Sequence, residues 1–166
     1  MWGPAPVVTK AGKHYYITFT DNKTHLTHLN LLHLKCDAFD SYTEYEAWCD
    51  THLDACIKVL HSNCGGEYLG NEFILYLKSK GTVQKLTVHD TPQHNGVAER
   101  CNRIIIERIR ALLHSSGLPK MMWGEAARHV VWLMNRTSTK AVDGMTPYEA
   151  AFGKKPDLQR ESMGSH

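Results

Sequence analysis

Two periodicities of apolar residues run along this chain, and together they predict strands and helices. Residues 14–21 form a run of aromatic and β-branched residues and 26–34 form a leucine-rich run, and both runs are typical of strands. Turn-forming residues at 21–23 lie between them, so a β-hairpin is predicted. At 37–52 the apolar residues recur at helical spacing, and Asp37 is suited to cap that helix.

Strands and helices then alternate along the rest of the chain. The predicted elements are a strand, a helix, a strand, a long amphipathic helix and a last helix, at 56–60, 70–80, 82–88, 97–115 and 120–136. A polar loop at 90–96 opens the long helix. This order of elements after a hairpin indicates an α/β layer fold with a mixed sheet.

The composition is that of one globular unit. The chain has 166 residues, of which 42% are hydrophobic and 22% charged, and these values exclude collagen-like, coiled-coil and wholly disordered proteins. We assign 1–157 to one domain and 158–166 to a polar tail. A net charge of +2 is too small to indicate nucleic-acid binding by itself. The apolar stretches are too short for a membrane span, and the first residues lack the pattern of a secretory signal.

The cysteines and histidines are weak candidates for chemistry. Five cysteines, none in a Cys-x-x-Cys pair, argue against a disulfide framework and a structural zinc site, so an intracellular protein with free thiols is expected. Cys64 lies near His61, but no third orienting group is apparent, which argues against a nucleophilic site. The spacing of His25, His28 and His33 is wrong for one face of a strand, so packed or solvated rings are favoured over metal ligands.

Asn63 and Glu99 are the two residues that indicate a candidate catalytic site. Asn63 follows a predicted strand and precedes the glycines at 65–66, and Glu99 lies in the first turn of the long helix, after Gly96. Acidic residues at a strand end and on a facing helix, beside glycine-rich turns, are how carboxylates converge on two Mg²⁺ ions. Such ions stabilise the attacking and leaving oxygens of a phosphoryl transfer.

Seven short segments of the chain form a pattern. They are 16–21 (YITFTD), 65–68 (GGEY), 91–100 (TPQHNGVAER), 117–119 (GLP), 135–136 (NR), 146–149 (TPYE) and 153–156 (GKKP). In this order they resemble the integrase catalytic core of copia-type retrotransposons, and the resemblance runs from about residue 2 to residue 157. It implies a ribonuclease-H-like three-layer fold with a mixed β-sheet, and a metal-dependent joining of element DNA ends to target DNA.

The family uses three acidic residues, and the resemblance carries over one of them intact. Glu99 stands at the position of the family Glu, whereas Asn63 stands at the position of the second Asp. The first Asp would fall just before Met1, so a core truncated at its N-terminus is expected. Because Asn63 offers one neutral oxygen, we expect weak binding of Mg²⁺ or Mn²⁺, with Glu99 as the remaining metal ligand. Glu67 and Asp90 are acidic alternatives, and we expect neither to restore the site.

The strand expected before Met1 matters for the sheet. In the family this strand lies in the middle of the sheet, so the hairpin and the strands at 56–60 and 82–88 would lose a shared neighbour. Residues 5–9 are a poor replacement, because Pro4 and Pro6 cannot donate to a strand ladder. A partly open core is therefore expected.

The resemblance also implies partners. Gln93, Asn95, Arg100 and Arg103 would contact DNA, although an ordinary solvated helix face is an open alternative for the arginines. The expected partner is DNA, a homo-oligomer is compatible with the family, and the expected location is intracellular, and nuclear if the protein is functional. Three hypotheses follow: a catalytically inactive integrase core, a nucleic-acid- or protein-binding module, and an enzyme with residual activity.

Overall fold

The computed structural model describes residues 1–63, 65–87 and 92–157, and the side chains of these residues except 63, 67, 87 and 92–97. Short 3₁₀ turns precede the first, second, fourth and fifth helices. The strands are β1 (Tyr15–Thr20), β2 (Thr27–Leu32), β3 (Val59–Asn63) and β4 (Val83–Thr87). The helices are α1 (Ala38–Leu53), α2 (Asn71–Lys80), α3 (Pro92–Ser116), α4 (Trp123–Arg136) and α5 (Pro147–Phe152).

β1 and β2 form the predicted hairpin. They pair antiparallel, with Tyr15 opposite Leu32 at the open end. Asp21 holds the turn, because its Oδ2 accepts hydrogen bonds from the backbone N–H and the hydroxyl of Thr24, each 2.7 Å long. Asp21 is therefore a turn former, as the sequence predicts.

β3 and β4 lie parallel, with Val59 opposite Val83 and Asn63 opposite Thr87. α2 makes the crossover between them and ends at Gly81, whose φ of 73° lies in the left-handed region that glycine adopts without strain. Parallel strands end at the same edge of a sheet, so Asn63 and Thr87 lie side by side there.

The described strands form two separate two-stranded sheets, whereas a single mixed sheet is predicted. At the outer edge of β1, Trp2 and Tyr16 exchange backbone N–H to C=O bonds of 2.9 and 3.0 Å. The N–H of Ala5 adds a bond of 2.7 Å to the carbonyl of His14. Residues 2–5 therefore occupy part of the outer edge of β1. Its two prolines lack an N–H, which explains why the ladder does not extend.

Two hydrophobic clusters pack on opposite faces of the hairpin. The first lies against α3 and α4 and includes Tyr16 and Ile105. The second lies against α1 and α2 and includes Ile17, Tyr42 and Phe73. Tyr16 and Ile17 are both fully buried, and because neighbouring residues of a strand point to opposite faces, β1 contributes to both clusters.

The positions of α3 and β3 differ from the predicted ones, and one helix is absent from the prediction. α3 begins at Pro92 rather than at residue 97, since a proline suits the first turn of a helix. β3 spans 59–63 rather than 56–60, because its pairing with β4 sets its ends. α5 is not among the predicted helices, although its start has a clear signal: the Thr146 hydroxyl accepts a hydrogen bond of 3.0 Å from the Glu149 N–H.

Asp37 takes a different role from the predicted helix cap. It precedes α1, but its Oδ2 accepts hydrogen bonds of 3.0 Å from the backbone N–H groups of His33 and Leu34. These bonds stabilise the carboxylate, and the pKa of Asp37 lies below its usual range, chiefly because of the Leu34 N–H. Asp37 therefore holds the turn before the helix.

Candidate active site

The candidate pair is divided between a strand end and a helix. Asn63 is the last residue of β3, opposite the last residue of β4. Glu99 lies on α3, about two turns after its start at Pro92, and its side chain is exposed. The side chain of Asn63 lies outside the described residues, so its backbone position is what the structure gives.

Glu99 lines an open groove of about 400 Å³ along one face of α3. The candidate catalytic residue Glu99 and the candidate DNA contact Arg103 therefore lie in one groove. The charged residues Glu107 and Arg110 are also expected on this helix from the sequence, where Glu99, Arg103 and Glu107 recur every fourth residue, whereas Asn102 and Ile106 are not predicted as part of a site. The other lining residues are Asn102, Ile106, Glu107 and Arg110.

Charges alternate in sign along this groove. Glu99, Arg103 and Glu107 follow one another at the interval at which opposite charges on a helix attract. Arg110 comes next, one turn after Glu107. Alternation of this kind weakens the positive potential that a phosphate backbone would meet. Arg100 is also exposed on α3, as expected for either a DNA contact or a solvated face.

Two further candidate DNA contacts, Gln93 and Asn95, lie in the first turns of α3. Their side chains lie outside the described residues, as do residues 88–91 before the helix. The backbone places all four candidate DNA contacts and Glu99 on the first four turns of one helix.

Contacts with β1 fix this part of α3. The Tyr16 hydroxyl donates to the backbone carbonyl of Asn102 at 3.5 Å. Burial raises the pKa of the Tyr16 hydroxyl and of the neighbouring Cys101 thiol, so both groups stay protonated at neutral pH. The side-chain oxygen of Asn102 is buried and has no hydrogen-bond partner within the described part of the chain.

The described residues do not supply the oxygen ligands that a pair of Mg²⁺ ions needs. Mg²⁺ prefers charged oxygen ligands, and two neighbouring ions need several carboxylates to offset their repulsion. Asn63 supplies a neutral amide, and Glu99 shares its groove with Arg103 and Arg110. Among the residues with described side chains, no group of three or more His, Cys, Asp or Glu is placed to hold a metal. The alternatives Glu67 and Asp90 have side chains outside that description.

The histidines weighed as metal ligands make other contacts. His28 Nε2 lies 3.1 Å from Asn30 Oδ1, and its ring centroid is 5.5 Å from that of Tyr45. Burial lowers the pKa of His28. His33 Nδ1 lies 3.0 Å from the backbone carbonyl oxygen of Gly12.

Cys36, Cys49, Cys56 and Cys101 are free, in the part of the chain that the structure describes. None of the described helices is long and apolar enough to cross a membrane.

Several solved structures that resemble this fold are integrase catalytic cores. The HTLV-2 integrase catalytic core domain in complex with magnesium has a TM-score of 0.61 at 16% identity, over 81% of this chain and 82% of that one. The catalytic core domain of BIV integrase gives 0.62 at 16%, over 83% and 85%. A chain of the simian T-cell lymphotropic virus intasome, in complex with the PP2A regulatory subunit B56 gamma, gives 0.66 at 15%, over 90% and 54%. The fold is therefore that of the ribonuclease-H-like integrase cores.

The proteins that are similar to this chain in sequence are Pol polyproteins of plant transposons. The retrovirus-related Pol polyprotein from transposon TNT 1-94 of Nicotiana tabacum is 38% identical over 135 residues, which are 81% of this chain and 10% of the polyprotein. The polyprotein from transposon RE2 of Arabidopsis thaliana is 29% identical over 158 residues, 94% of this chain and 11% of that one. No family model matches. The chain spans about a tenth of these relatives, and it is an integrase-core-like region of a retrotransposon Pol polyprotein.

Proposed function

We propose that this chain is a copia-type integrase core that does not catalyse DNA strand transfer. The observation that carries the proposal is Asn63, which ends β3 at the position where the resemblance places a catalytic Asp. The family reaction joins element DNA to target DNA and relies on metal ions held by carboxylates. Glu99 is retained on α3, but Asn63 removes a negative charge that a two-metal centre needs at the end of β3.

Charge is the physical reason. Replacing Asp by Asn keeps the shape of the side chain but removes its negative charge and one of its two equivalent oxygens. Two metal ions in such sites stand about 3.5–4 Å apart and repel each other, so each lost carboxylate weakens their binding. Arg103 and Arg110 add positive charge to the groove of Glu99 and act in the same direction.

A strand-transfer and DNA-cleavage assay with Mg²⁺ and with Mn²⁺ tests the proposal. The chain is compared with its Glu99→Gln variant, and an integrase core that holds all three family carboxylates serves as the positive control. We expect no metal-dependent product from either form of this chain, and no rise in melting temperature with millimolar Mg²⁺. Turnover by the chain that Glu99→Gln abolishes would refute the proposal.

A second candidate function is DNA binding without catalysis. It is supported by four exposed arginines on α3, at 100, 103, 108 and 110, and by the fold neighbour that belongs to a viral intasome. The HTLV-2 cores have been solved in trimeric and dimeric forms, so a homo-oligomer forms part of this proposal. An intracellular, nuclear location would follow from DNA as the partner.

Fluorescence anisotropy with duplex DNA over a range of salt concentrations tests this second function. We expect Arg103→Ala to weaken binding and to reduce the salt slope by about 1, because one phosphate contact is lost. Arg128→Ala, at an exposed arginine of α4, is the matched control and should leave binding unchanged. Glu99→Gln should not weaken binding. Equal losses for Arg103→Ala and Arg128→Ala would contradict a site on α3.

A further inference from the structure

A larger, mostly apolar groove lies beside the C-terminal half of α3. Its volume is about 580 Å³, within the range of pockets that hold small ligands or anchoring side chains. Three parts of the chain line it: the first segment from Trp2 to Val7, the second half of α3, and residues 117–123. Among the residues with described side chains, Glu99 does not line it, whereas Ile106 and Arg110 line both this groove and that of Glu99.

Buried apolar side chains make the floor of this groove. Ala5, Ile109 and Trp123 are each buried. Trp123 is fixed in place, because its Nε1–H donates a hydrogen bond of 2.7 Å to the Val7 carbonyl and its ring packs edge-on against Trp2, with centroids 5.6 Å apart. The groove is therefore formed before any partner arrives.

The rim of the groove is cationic. Its titratable lining residues are Arg110, His114 and Lys120, all exposed, and no Asp or Glu lines it among the described residues. Leu118 forms an open wall and is 48% exposed. An apolar floor with a cationic rim complements a ligand that combines an apolar side chain with carboxylates.

We propose that this groove binds an acidic peptide segment of a partner protein. A large apolar side chain of the peptide would sit on Trp123 and Leu118, and its carboxylates would face Arg110 and Lys120. A nucleic-acid backbone carries negative charge but brings no apolar side chain to the floor. An anchor buried in a pocket and ringed by polar contacts is the usual energetic centre of an interface. The apolar groove adjoins the groove of Glu99, because Ile106 and Arg110 line both. The proposal rests on the apolar floor and does not require catalysis by the core.

Fluorescence anisotropy with the full chain tests the proposal. The probe is a fluorescein-labelled peptide of leucine, tryptophan and glutamate, and the comparison peptide has lysine in place of each glutamate. Leu118→Glu puts a carboxylate into the groove and should weaken binding of the acidic probe at least tenfold, which is about 1.4 kcal/mol. Leu75→Glu, at a leucine of α2 that is 65% exposed, is the matched control and should leave binding unchanged.

The charge of the rim is tested separately. The double variant Arg110→Glu with Lys120→Glu should weaken binding of the acidic probe and improve binding of the lysine peptide, whereas Lys78→Glu on α2 should change neither. Three results would overturn the proposal: no saturable binding up to about 1 mM, equal binding of the two peptides, or wild-type affinity in Leu118→Glu. Displacement of the probe by duplex DNA with an unchanged affinity in Leu118→Glu would also overturn it, because it would indicate a phosphate-binding surface.

Discussion

Asn135 joins the end of α4 to the start of β2 through a pair of hydrogen bonds. Its Oδ1 accepts from the Thr27 N–H at 2.9 Å, and its Nδ2 donates to the Thr27 carbonyl at 2.7 Å. Thr27 is 5% exposed, so water does not easily replace the side chain. We therefore expect Asn135→Ala to destabilise the fold well beyond a surface substitution.

The size of the effect follows from the two backbone groups left unpaired. A buried donor or acceptor that loses its partner costs about 1–3 kcal/mol. Asn135 is half-buried and some water would enter, so we take the lower part of that range, about 2–4 kcal/mol for both groups. For a chain of this size, each kcal/mol lowers the melting temperature by about 2–4 °C. Asn135→Ala should then lower it by about 4–16 °C.

Thermal unfolding followed by circular dichroism measures this shift, with Asn71→Ala at an exposed asparagine of α2 as the control. Asn135→Asp gives a second test, because a carboxylate accepts from the Thr27 N–H but repels the Thr27 carbonyl. That repulsion would raise the pKa of the new carboxyl in the folded state. The stability of Asn135→Asp should therefore be greatest below about pH 4 and fall as the pH rises. A shift below 2 °C for Asn135→Ala would refute the reasoning.

Three further predictions concern single side chains. The pKa of Asp37 is lowered in the folded state, so its carboxylate stabilises the fold above about pH 4, the pKa of an unfolded Asp. This stabilisation is lost as the pH falls further, and Asp37→Asn should remove that loss in melts recorded at several pH values. The pKa of His28 is also lowered, because burial opposes its charge, so stability should decline as the pH falls below about 6.5, and His28→Gln should flatten that decline in urea titrations. Thr146→Ala removes the cap of α5 and should cost about 1 kcal/mol in chemical denaturation, whereas Thr51→Ala, in the last turn of α1, should cost less.

The elements that the sequence predicts well have strong local signals. The hairpin is predicted to within about two residues, because Asp21 and the strand-forming residues around it act locally. The ends of β3 depend on a partner strand about twenty residues away and are misplaced. Leu34 is expected in a buried strand, yet it is 59% exposed, since the strand ends at Leu32.

The functional residues also differ in whether a local sequence signal predicts them. Glu99 and Asn63 are found from short motifs, and the structure places one on α3 and the other at the end of β3. The apolar groove has no local signal, because Trp2 and Trp123 meet from distant parts of the sequence. Contacts of that kind depend on the packing of whole elements, which periodicity does not give.

The division of β1 between two hydrophobic clusters has a consequence for how the molecule opens. Tyr16 belongs to the cluster of α3 and α4, and Ile17 to the cluster of α1 and α2. Either helical pair can therefore loosen while the hairpin keeps its contacts with the other pair. Backbone amides of the hairpin should exchange with solvent more slowly than those of α2 or α4. The hairpin is thus the element that both hydrophobic clusters share.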